Sequence, residues 1–449
     1  MIPYLCSTEE EQKKMLAEIG AASLEDLFHS IPRELMTHTF PVLPPALREY
    51  ELLREIRNIA GRNGISPKSV SFMGGGVYEH FIPSIVPALA GRAEFVTSYT
   101  PYHPEASQGN LQVFFEYQSL ITRLLEMDIS NASMYDVATA LAEGVIMAAG
   151  QMSGRKRCLV AETMHPFYRD VLATYMKNFD LELVILKSTG GIVPLASLEK
   201  ELDDQTVCAV YQHPNFLGCL ENMNAASERI HASGALFLSV VDPISLGLLS
   251  PPGQYHADIA VAEGQCLGMP PWFGGETLGI FTCKKEFMRK MPGRLVGLAT
   301  DTRGKRGFVL TLQTREQHIR REKATSNICT NHALNAIKAT IYLSAMGPSG
   351  MKEIAQTCYA NAQYALSQIK QLGKYHIPFE GPVFKEFAVK ARNGNVPELI
   401  QALAPKGFLV GPDLGAFLPE WKNCFLICTT EIRNRKEIDE LVKALNALS

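Results

Sequence analysis

The sequence of 449 residues contains no apolar run that approaches the roughly 20 residues needed to cross a bilayer. Its first residues, from Met1 to Glu11, also lack the basic start and the apolar centre of a signal peptide. Both absences argue against a membrane-spanning or exported protein. We therefore expect a cytoplasmic protein.

An excess of charge of one sign is also lacking. The formal net charge is −3, and acidic and basic residues are mixed without the basic stripe that neutralises phosphates. Nucleic acid is therefore not expected as a partner. The ten cysteines are scattered, many of them inside apolar runs, and no Cys-x-x-Cys pair indicates zinc. This usage is typical of buried thiols in a reducing compartment, and no metal site is predicted.

The length permits a large core and a second, smaller domain. We divide the chain into an N-terminal helical arm at 1–65 and a large α/β domain at 66–330. A bridging helix and a small C-terminal α/β domain follow at 331–449.

The arm has a readable first helix, because Ser7 with Glu10 predicts a capping box and Gly20 can end the helix. A second helix is predicted from about Pro45 to Ile59, after extended chain at Phe40–Pro45. Such an arm either wraps a neighbouring subunit or folds back on its own domain, and the sequence leaves both open.

Strand-like and helix-like apolar runs alternate between about Arg155 and Cys283. This alternation is typical of a mainly parallel sheet covered by helices on both faces. Helices fit between several strands, for instance at Tyr168–Phe179 and Asn222–Ala232. The predicted strands are Cys158–Ala161, Leu183–Leu186, Val207–Tyr211, Leu236–Val241, Ile259–Ala262 and Leu278–Phe281.

The C-terminal part begins with a long helical region around His332–Met346 and a further helix at about Ser349–Leu372. Strands near Phe387–Lys390 and Cys424–Cys428 and a closing helix at Arg435–Leu448 complete it. A large α/β domain, a long helix and a small α/β domain, in that order, resemble the aminotransferase-like fold, fold type I, of pyridoxal-phosphate (PLP) enzymes.

A stiffened loop carries a dense set of polar and aromatic side chains at Tyr99–Gln118. Pro101 and Pro104 fix φ and bias the preceding residues to extended geometry, while Gly109 permits a turn before an amphipathic helix. Rigid presentation of this kind suits a binding site. The alternative is an ordinary proline-rich connector whose tyrosines pack on the surface.

This loop and several other segments resemble the P-protein of the glycine cleavage system, in particular the alpha subunit of its two-subunit form. The resemblance runs nearly from end to end, and its length and order make it specific. A run of three glycines alone would be weak, since it usually marks a tight turn. The other segments are Ser71–Pro83, Asn131–Gly144, His256–Asp258, Pro271–Gly279 and Gln313–Asn331.

PLP chemistry on this fold requires a lysine for the Schiff base, a carboxylate that keeps the pyridine nitrogen protonated, and a phosphate cradle at a helix N-terminus. Asp242 follows an apolar strand, where such a carboxylate would lie. We interpret it as vestigial, and it alternatively does no more than start a turn with Pro243.

The lysine is missing, because the chain contains none between Lys200 and Lys284. The expected neighbourhood instead ends in Gln265 and Cys266, and neither side chain is the primary amine that an imine requires. The cradle is doubtful too. Asn131–Ser133 can cap a helix, but the bulky residues that follow replace the small ones that let amides approach a phosphate. We expect the chain not to hold PLP alone.

The resemblance implies that a homologous partner subunit carries the lysine and PLP, and that the active site lies between the two chains. It makes Tyr99, Thr100, Tyr102 and Gln108 candidates for facing the substrate pocket, with Glu79 and His80 close by. A second candidate cluster contains Lys323, Thr325, Ser326 and Asn327. It either forms a capped turn that presents amides to an anion or is a solvated helix end.

The resemblance further implies that the chain and its partner decarboxylate glycine and pass the aminomethyl group to the lipoyl arm of H-protein. Such a chain is inactive alone. One alternative is a scaffold or regulatory subunit of a PLP enzyme, against which the polar loop argues. The other is a self-sufficient PLP aminotransferase, against which the missing lysine argues.

Overall fold

The fold is described from a computed structural model for residues 7–36, 44–63, 69–271, 275–379, 381–392 and 394–448. The chain divides into two compact units, Met1–Ile65 and Ser66–Ser449, and each is described by itself. The further division at residues 330 and 331 stays a prediction. Within the described residues, every helix is too short or too polar to span a membrane.

The first unit contains helices α1 (Glu9–Glu18) and α2 (Glu49–Gly61). The start of α1 corrects the predicted cap by one residue, because Thr8 and Glu11 form the capping box in place of Ser7 and Glu10. The Thr8 amide donates to the Glu11 carboxylate at 2.7 Å. Gly20 follows the helix with φ +72°, as a C-terminal glycine does.

Helix α2 begins four residues later than predicted. The amide of Arg48, just before it, donates to the Glu51 carboxylate at 3.1 Å, and this contact sets the start of the helix. Two 3₁₀ turns, Glu25–Phe28 and Arg33–Leu35, lie between α1 and α2. Most of the predicted extended stretch Phe40–Pro45 lies outside the described residues.

The second unit contains fourteen strands and eleven further helices in its described residues. The strands are β1 (Val70–Met73), β2 (Ile129–Ser130), β3 (Arg157–Ala161), β4 (Glu182–Leu186), β5 (Thr206–His213), β6 (Leu236–Val241), β7 (Ile259–Glu263), β8 (Gly279–Cys283), β9 (Leu295–Thr300), β10 (Arg306–Thr311), β11 (Tyr375–His376), β12 (Glu386–Ala391), β13 (Phe408–Gly411) and β14 (Cys424–Cys428). The helices are α3 (Ile85–Ala90), α4 (Ala93–Val96), α5 (Gln108–Leu125), α6 (Val137–Ala149), α7 (Pro166–Met176), α8 (Leu195–Glu201), α9 (Met223–Ala232), α10 (Gln317–Arg320), α11 (Ala333–Lys370), α12 (Val396–Leu403) and α13 (Arg435–Ala447).

A seven-stranded sheet with the order β2-β8-β7-β6-β5-β3-β4 forms the centre of this unit. Neighbours from β7 to β4 run parallel, whereas β8 is antiparallel to both β7 and β2. Each residue of β6 is buried, as its continuous apolar run predicts. Helices α6 and α7 cover one face, and α5, α9 and the first half of α11 cover the other. The predicted α/β fold with a mainly parallel sheet is confirmed.

A C-terminal module packs a small antiparallel sheet, β11-β12-β14, against α12, α13 and the second half of α11. Helix α11 breaks at Gly347, where φ is +59°, so the two helices predicted on either side meet there. Strand β1 comes from far earlier in the chain but pairs in parallel with β13, and Phe72 lies in the core of the module. The segment before the large sheet therefore crosses to the C-terminal module.

The short strands β1, β2, β11 and β13 were not predicted, and neither were two larger features. Strands β9 and β10 form an antiparallel hairpin, although no strand was expected there. The segment around Phe216 leaves the large sheet and packs into the core of the C-terminal module with Leu217 and Cys219. At this crossing Gly218 has φ +83°, and a Cβ there would lie 1.9 Å from the carbonyl oxygen of Glu386.

Gly218→Ala should therefore destabilise the chain by at least about 3 kcal/mol, because a strained φ adds to a backbone clash. The matched control is Gly154→Ala, where φ is +87° but nothing lies within 4 Å of the added Cβ. The control should cost about 1–2 kcal/mol, from φ alone. Chemical denaturation of both variants measures the difference. Equal losses would contradict the close approach of these two segments.

Candidate functional site

Charged and polar side chains gather where β5, β6 and β7 end, which is the edge at which parallel sheets carry their sites. They surround a small cavity of about 40 Å³. This volume holds one or two water molecules and is far smaller than ordinary ligand pockets of about 300–1,000 Å³. Its lining includes Gly76, Tyr78, Asp242, Glu263, Gln265 and Lys385.

Lys385 comes from the C-terminal module, immediately before β12, and its side chain is 2% exposed. The Nζ atom lies 2.7 Å from Oδ2 of Asp242 and 3.1 Å from Nε2 of His80. It also lies 3.5 Å from the centre of the Tyr78 ring. The three N–H groups of the ammonium thus meet a carboxylate, a ring nitrogen and an aromatic face. Burial alone would lower the pKa of Lys385, but the Asp242 carboxylate holds it above its ordinary value.

Asp242 therefore has two contacts. Its Oδ1 accepts from the amide of Ile244 at 3.0 Å, as expected for a residue that starts a turn with Pro243. Its Oδ2 binds Lys385. Lys385 was not predicted as a site residue, because the Schiff-base lysine was expected between Asp242 and Lys284. The sequence did contain a sign of this role, because two charged residues, Lys385 and Glu386, interrupt the apolar residues at the start of β12.

His80 is buried between Lys385 and Glu431. Its Nδ1 lies 2.7 Å from Oε2 of Glu431, so Nδ1 carries the proton and Nε2 accepts from the ammonium. Burial and the charge of Lys385 lower the pKa of His80, which keeps the ring neutral. Burial alone would raise the pKa of Glu431, but hydrogen bonds from His80 and the amide of Phe81 hold it below its ordinary value.

The neighbouring Cys358 completes a group with His80 and Glu431 whose ligand atoms lie within 4.8 Å of one another. Two observations favour a hydrogen-bond network over a cation site. The Lys385 ammonium already contacts His80, and the pKa of Cys358 is raised by burial, which keeps the thiol protonated.

The Gly74–Gly76 turn passes close to a buried carboxylate on β12. The Tyr78 hydroxyl donates to Oε1 of Glu386 at 2.6 Å, and the Gly75 amide donates to Oε2 at 2.9 Å. A Cβ on Gly74 would lie 2.2 Å from Oε2 of Glu386, so a side chain there would displace this carboxylate. These two hydrogen bonds to Glu386 hold the turn next to Lys385.

The N-terminus of α6, where the cradle was expected, also contacts a carboxylate of the chain. Oε2 of Glu263 accepts from the amide of Val137 at 3.3 Å, and Oε1 accepts from Leu278 at 2.8 Å and from Gln265 at 3.0 Å. Burial raises the pKa of Glu263 to about 7. Asp136 caps the helix through the amide of Thr139 at 2.8 Å.

The predicted cap at Asn131–Ser133 is wrong, because α6 begins only at Val137. The Asn131 side chain instead binds the carbonyl of Pro292 at 3.0 Å and the amide of Ser133 at 3.1 Å. It therefore fixes a turn before the helix.

Gln265 and Cys266 line the cavity, but their side chains form hydrogen bonds within the chain. The Gln265 amide binds both the amide and the carbonyl of Tyr78 at 3.1 Å. The chain lacks a lysine at the Schiff-base position, and Lys385 already binds Asp242. The residues of this site therefore do not fit PLP. The described cavity is also too small for its ring and phosphate.

The predicted loop residues lie in a second region. Tyr99 is 94% exposed, and Thr100 is exposed. Tyr102 is half-buried: its hydroxyl donates to Oδ1 of Asn331, and the guanidinium of Arg294 lies 4.0 Å from the ring centre. Gln108, in the first turn of α5, binds the amide and carbonyl of Phe308 on β10, both at 2.9 Å.

A groove of about 360 Å³ runs between this loop and the start of α11. Tyr99, Asn331 and His332 line it with Asn335. His332 and Asn335 both contact the carbonyl of Thr277, at 2.6 and 2.9 Å. Residues 272–274, just before that carbonyl in the chain, lie outside the described residues. The groove thus has side chains at its base that are hydrogen-bonded to Thr277, and an exposed tyrosine, Tyr99, at its edge.

The second candidate cluster has no helix of its own beyond the 3₁₀ turn that ends at Lys323. Lys323, Thr325 and Asn327 are exposed. Ser326 forms a local turn by accepting from the amide of Ile328 at 3.1 Å, and Ile328 enters the core. The next described helix begins at Ala333, so the expected amides at a helix N-terminus are not presented here.

The candidates thus fall into two sets. Glu79, His80 and Asp242 belong to the Lys385 region, where Glu79 pairs with Arg433 at 3.0 Å. The four loop residues belong to the groove region, where Tyr102 is bonded to Asn331, four residues after the second cluster ends at Asn327. Hydrogen bonds and ion pairs among the described residues do not join the two sets directly. Their roles remain predictions.

Comparison with known proteins identifies the family. The family model for the glycine cleavage system P-protein matches residues 3–445. A probable glycine dehydrogenase (decarboxylating) subunit 1 of Carboxydothermus hydrogenoformans is 48% identical over 443 residues, which are 98% of this chain and 99% of that protein. A protein of the same description from Thermomicrobium roseum is 46% identical, and the match covers 98% of each chain.

A crystal structure of glycine decarboxylase (P-protein) of the glycine cleavage system, in inhibitor-bound form, is also similar. It has a TM-score of 0.91 and 43% identity, with 99% of each chain covered. A NifS-like protein has a TM-score of 0.63 at 14% identity, with 84% of this chain and 98% of that chain covered. This second likeness concerns the fold alone.

One buried carboxylate near the second cluster predicts a pH dependence. Glu143 on α6 is 4% exposed, and its Oε2 has no hydrogen-bond partner among the described residues. Burial raises the pKa of Glu143 to about 7, although Ser326 opposes the shift. As pH rises from about 4.5 to 7, the unfolded state ionises and the folded state does not, so this group lowers stability.

Glu143→Gln should therefore stabilise the chain by about 1–3 kcal/mol at pH 8 and leave stability nearly unchanged near pH 4.5. Thermal unfolding at both pH values measures this gain. The control is Glu228→Gln, on an exposed position of α9, which should change little at either pH. A gain of equal size at both pH values would contradict the raised pKa.

Proposed function

Because the chain belongs to the glycine cleavage system P-protein family, we propose that it is subunit 1 of a two-subunit glycine dehydrogenase (decarboxylating). Support comes from full-length relatives with that description at 45–48% identity. In this proposal the complex decarboxylates glycine and passes the aminomethyl group to the lipoyl arm of H-protein. PLP supplies the electron sink for the decarboxylation when bound in the complex.

A homologous partner subunit carries the PLP in this proposal. The main support is the ion pair between the Lys385 ammonium and Asp242. It lies in a site that has no Schiff-base lysine and a cavity of only about 40 Å³. The chain has the complete fold but not the space for the cofactor. It therefore needs a partner for catalysis and is inactive alone.

This chain's own contribution would come from its exposed loop. Tyr102 and Gln108 are bound to Asn331 and Phe308, so they fix the path of the loop. Tyr99 and Thr100 stay exposed and are free to face the partner's substrate pocket. An anchored loop with exposed polar side chains suits positioning of a substrate, because the ordering cost is met before binding. A scaffold without such a role remains the alternative outcome.

The loop proposal predicts a specific effect of Tyr99→Phe. The change removes one exposed hydroxyl, so assembly and thermal stability should stay unchanged within about 0.5 kcal/mol. Glycine-dependent carboxyl exchange by the reconstituted complex should fall at least about tenfold, which corresponds to about 1.4 kcal/mol. Tyr359→Phe, at a half-exposed tyrosine on α11, is the matched control.

Tyr102→Phe gives a different expectation, because its hydroxyl is bonded to Asn331. Its loss should lower stability by about 1 kcal/mol as well as activity. If Tyr99→Phe left glycine-dependent carboxyl exchange unchanged, the loop proposal would fail and the scaffold alternative would hold.

The cofactor assignment has a separate test. The two subunits are co-expressed, incubated with PLP, reduced with borohydride and mapped by mass spectrometry. The stoichiometric adduct should lie on the partner, because Gln265 and Cys266 cannot form an imine. Light scattering at micromolar concentration should show a stable complex. An adduct on this chain with turnover, or two separate species, would refute the assignment.

A further inference from the structure

Lys385 takes the position of a cofactor's cation. In this fold the pyridinium N–H of PLP binds a carboxylate of the protein. Here the carboxylate at the end of β6 is Asp242, and a cationic N–H already binds it at 2.7 Å. The contact has the same charge and the same hydrogen-bond direction as the missing pyridinium.

Glu263 takes the position of a cofactor's anion. A helix N-terminus attracts phosphate because its amides are unpaired and its dipole is positive there. At the N-terminus of α6 the amide of Val137 instead donates to Oε2 of Glu263 at 3.3 Å. Asp136 caps the same end. Two amides that would face a phosphate, those of Val137 and Thr139, are therefore bound to carboxylates of the chain.

We infer that this chain closes its own cofactor site with Lys385 and Glu263, which satisfy the groups that would otherwise hold a pyridinium and a phosphate. The polar groups of the site are thus paired within the chain, by an ion pair at Asp242 and by backbone amides at Glu263, and do not form an open pocket that lacks a lysine. The contacts of the ammonium with Asp242, His80 and Tyr78 leave it no free donor. This inference concerns the chain alone and does not depend on the proposed partner.

The first experiment is a double-mutant cycle on Lys385 and Asp242 in the full-length chain. Lys385→Met leaves a buried carboxylate unpaired, and Asp242→Asn leaves a buried ammonium unpaired, so each should lower the melting temperature strongly. The double variant should be more stable than the sum of the two losses predicts. Additive losses would overturn the inference.

The control pair is Arg229 and Glu199, whose side chains are 53% and 50% exposed and bind at 2.6 Å. Arg229→Met and Glu199→Gln should change the melting temperature little, because exposed ion pairs contribute little. If the Lys385 and Asp242 variants behave like this control pair, the closed site is refuted.

A second experiment covers the case in which these variants fold poorly. Lys385→Ala leaves space and an unpaired Asp242, so propylammonium should raise its melting temperature or its soluble yield in a concentration-dependent way. Propanol, of the same shape without the charge, should not. Wild-type chain should respond to neither. Equal effects of the amine and the alcohol on Lys385→Ala would overturn the role of the cation.

A third experiment separates closure of the site from absence of the Schiff-base lysine. Pyridoxine 5′-phosphate has the ring and the phosphate but no aldehyde, so its binding needs no lysine. Equilibrium dialysis with the wild-type chain should show no saturable binding. One-to-one binding that Asp242→Asn abolishes would show an open site and refute the inference.

Discussion

The ion pair of Lys385 with Asp242 is the contact on which the arrangement of this site depends. It joins the end of β6, in the large sheet, to the entry of β12, in the C-terminal module. It also fixes the neighbours of the ammonium, because His80 and the Tyr78 ring bind the same nitrogen. A buried pair of this kind is costly to break from one side, since the remaining charge keeps its desolvation cost. The two parts of the unit are therefore held in one relative position at this point.

The surrounding titratable groups follow from the same burial. Glu386 and Glu263 lie beside Asp242, and neither forms an ion pair with a described residue. Burial raises the pKa of both carboxyls, that of Glu263 to about 7. Glu431 behaves oppositely because His80 and a backbone amide donate to it. Among the described residues of the site, Lys385 and Asp242 thus form the close ammonium and carboxylate pair, next to two carboxyls whose pKa burial raises. A ligand with a cationic and an anionic end would have to displace both the Lys385 contact with Asp242 and the Glu263 contact with the N-terminus of α6.

The sequence was sufficient where the physical signal is local. The apolar run Leu236–Val241 predicts β6 with the bounds that the structure has, and Gly347 with Pro348 separates the two predicted halves of α11. Lys385 could not be placed in this way, because only tertiary packing brings the C-terminal module to the end of β6. The same holds for Asn331, whose link to Tyr102 connects two segments that are distant in sequence. The missed contacts are those that join remote parts of the chain.

On the inference that Lys385 and Glu263 close the interior site, this chain would influence a reaction through its surface. The loop at Tyr99 meets this requirement, since its anchors, Tyr102 and Gln108, are bound while Tyr99 itself is 94% exposed. A loop ordered in this way can position a group in a neighbouring site without paying for its own ordering on binding. The closed interior supports the same role, because a satisfied buried pair keeps the underlying sheet in one arrangement.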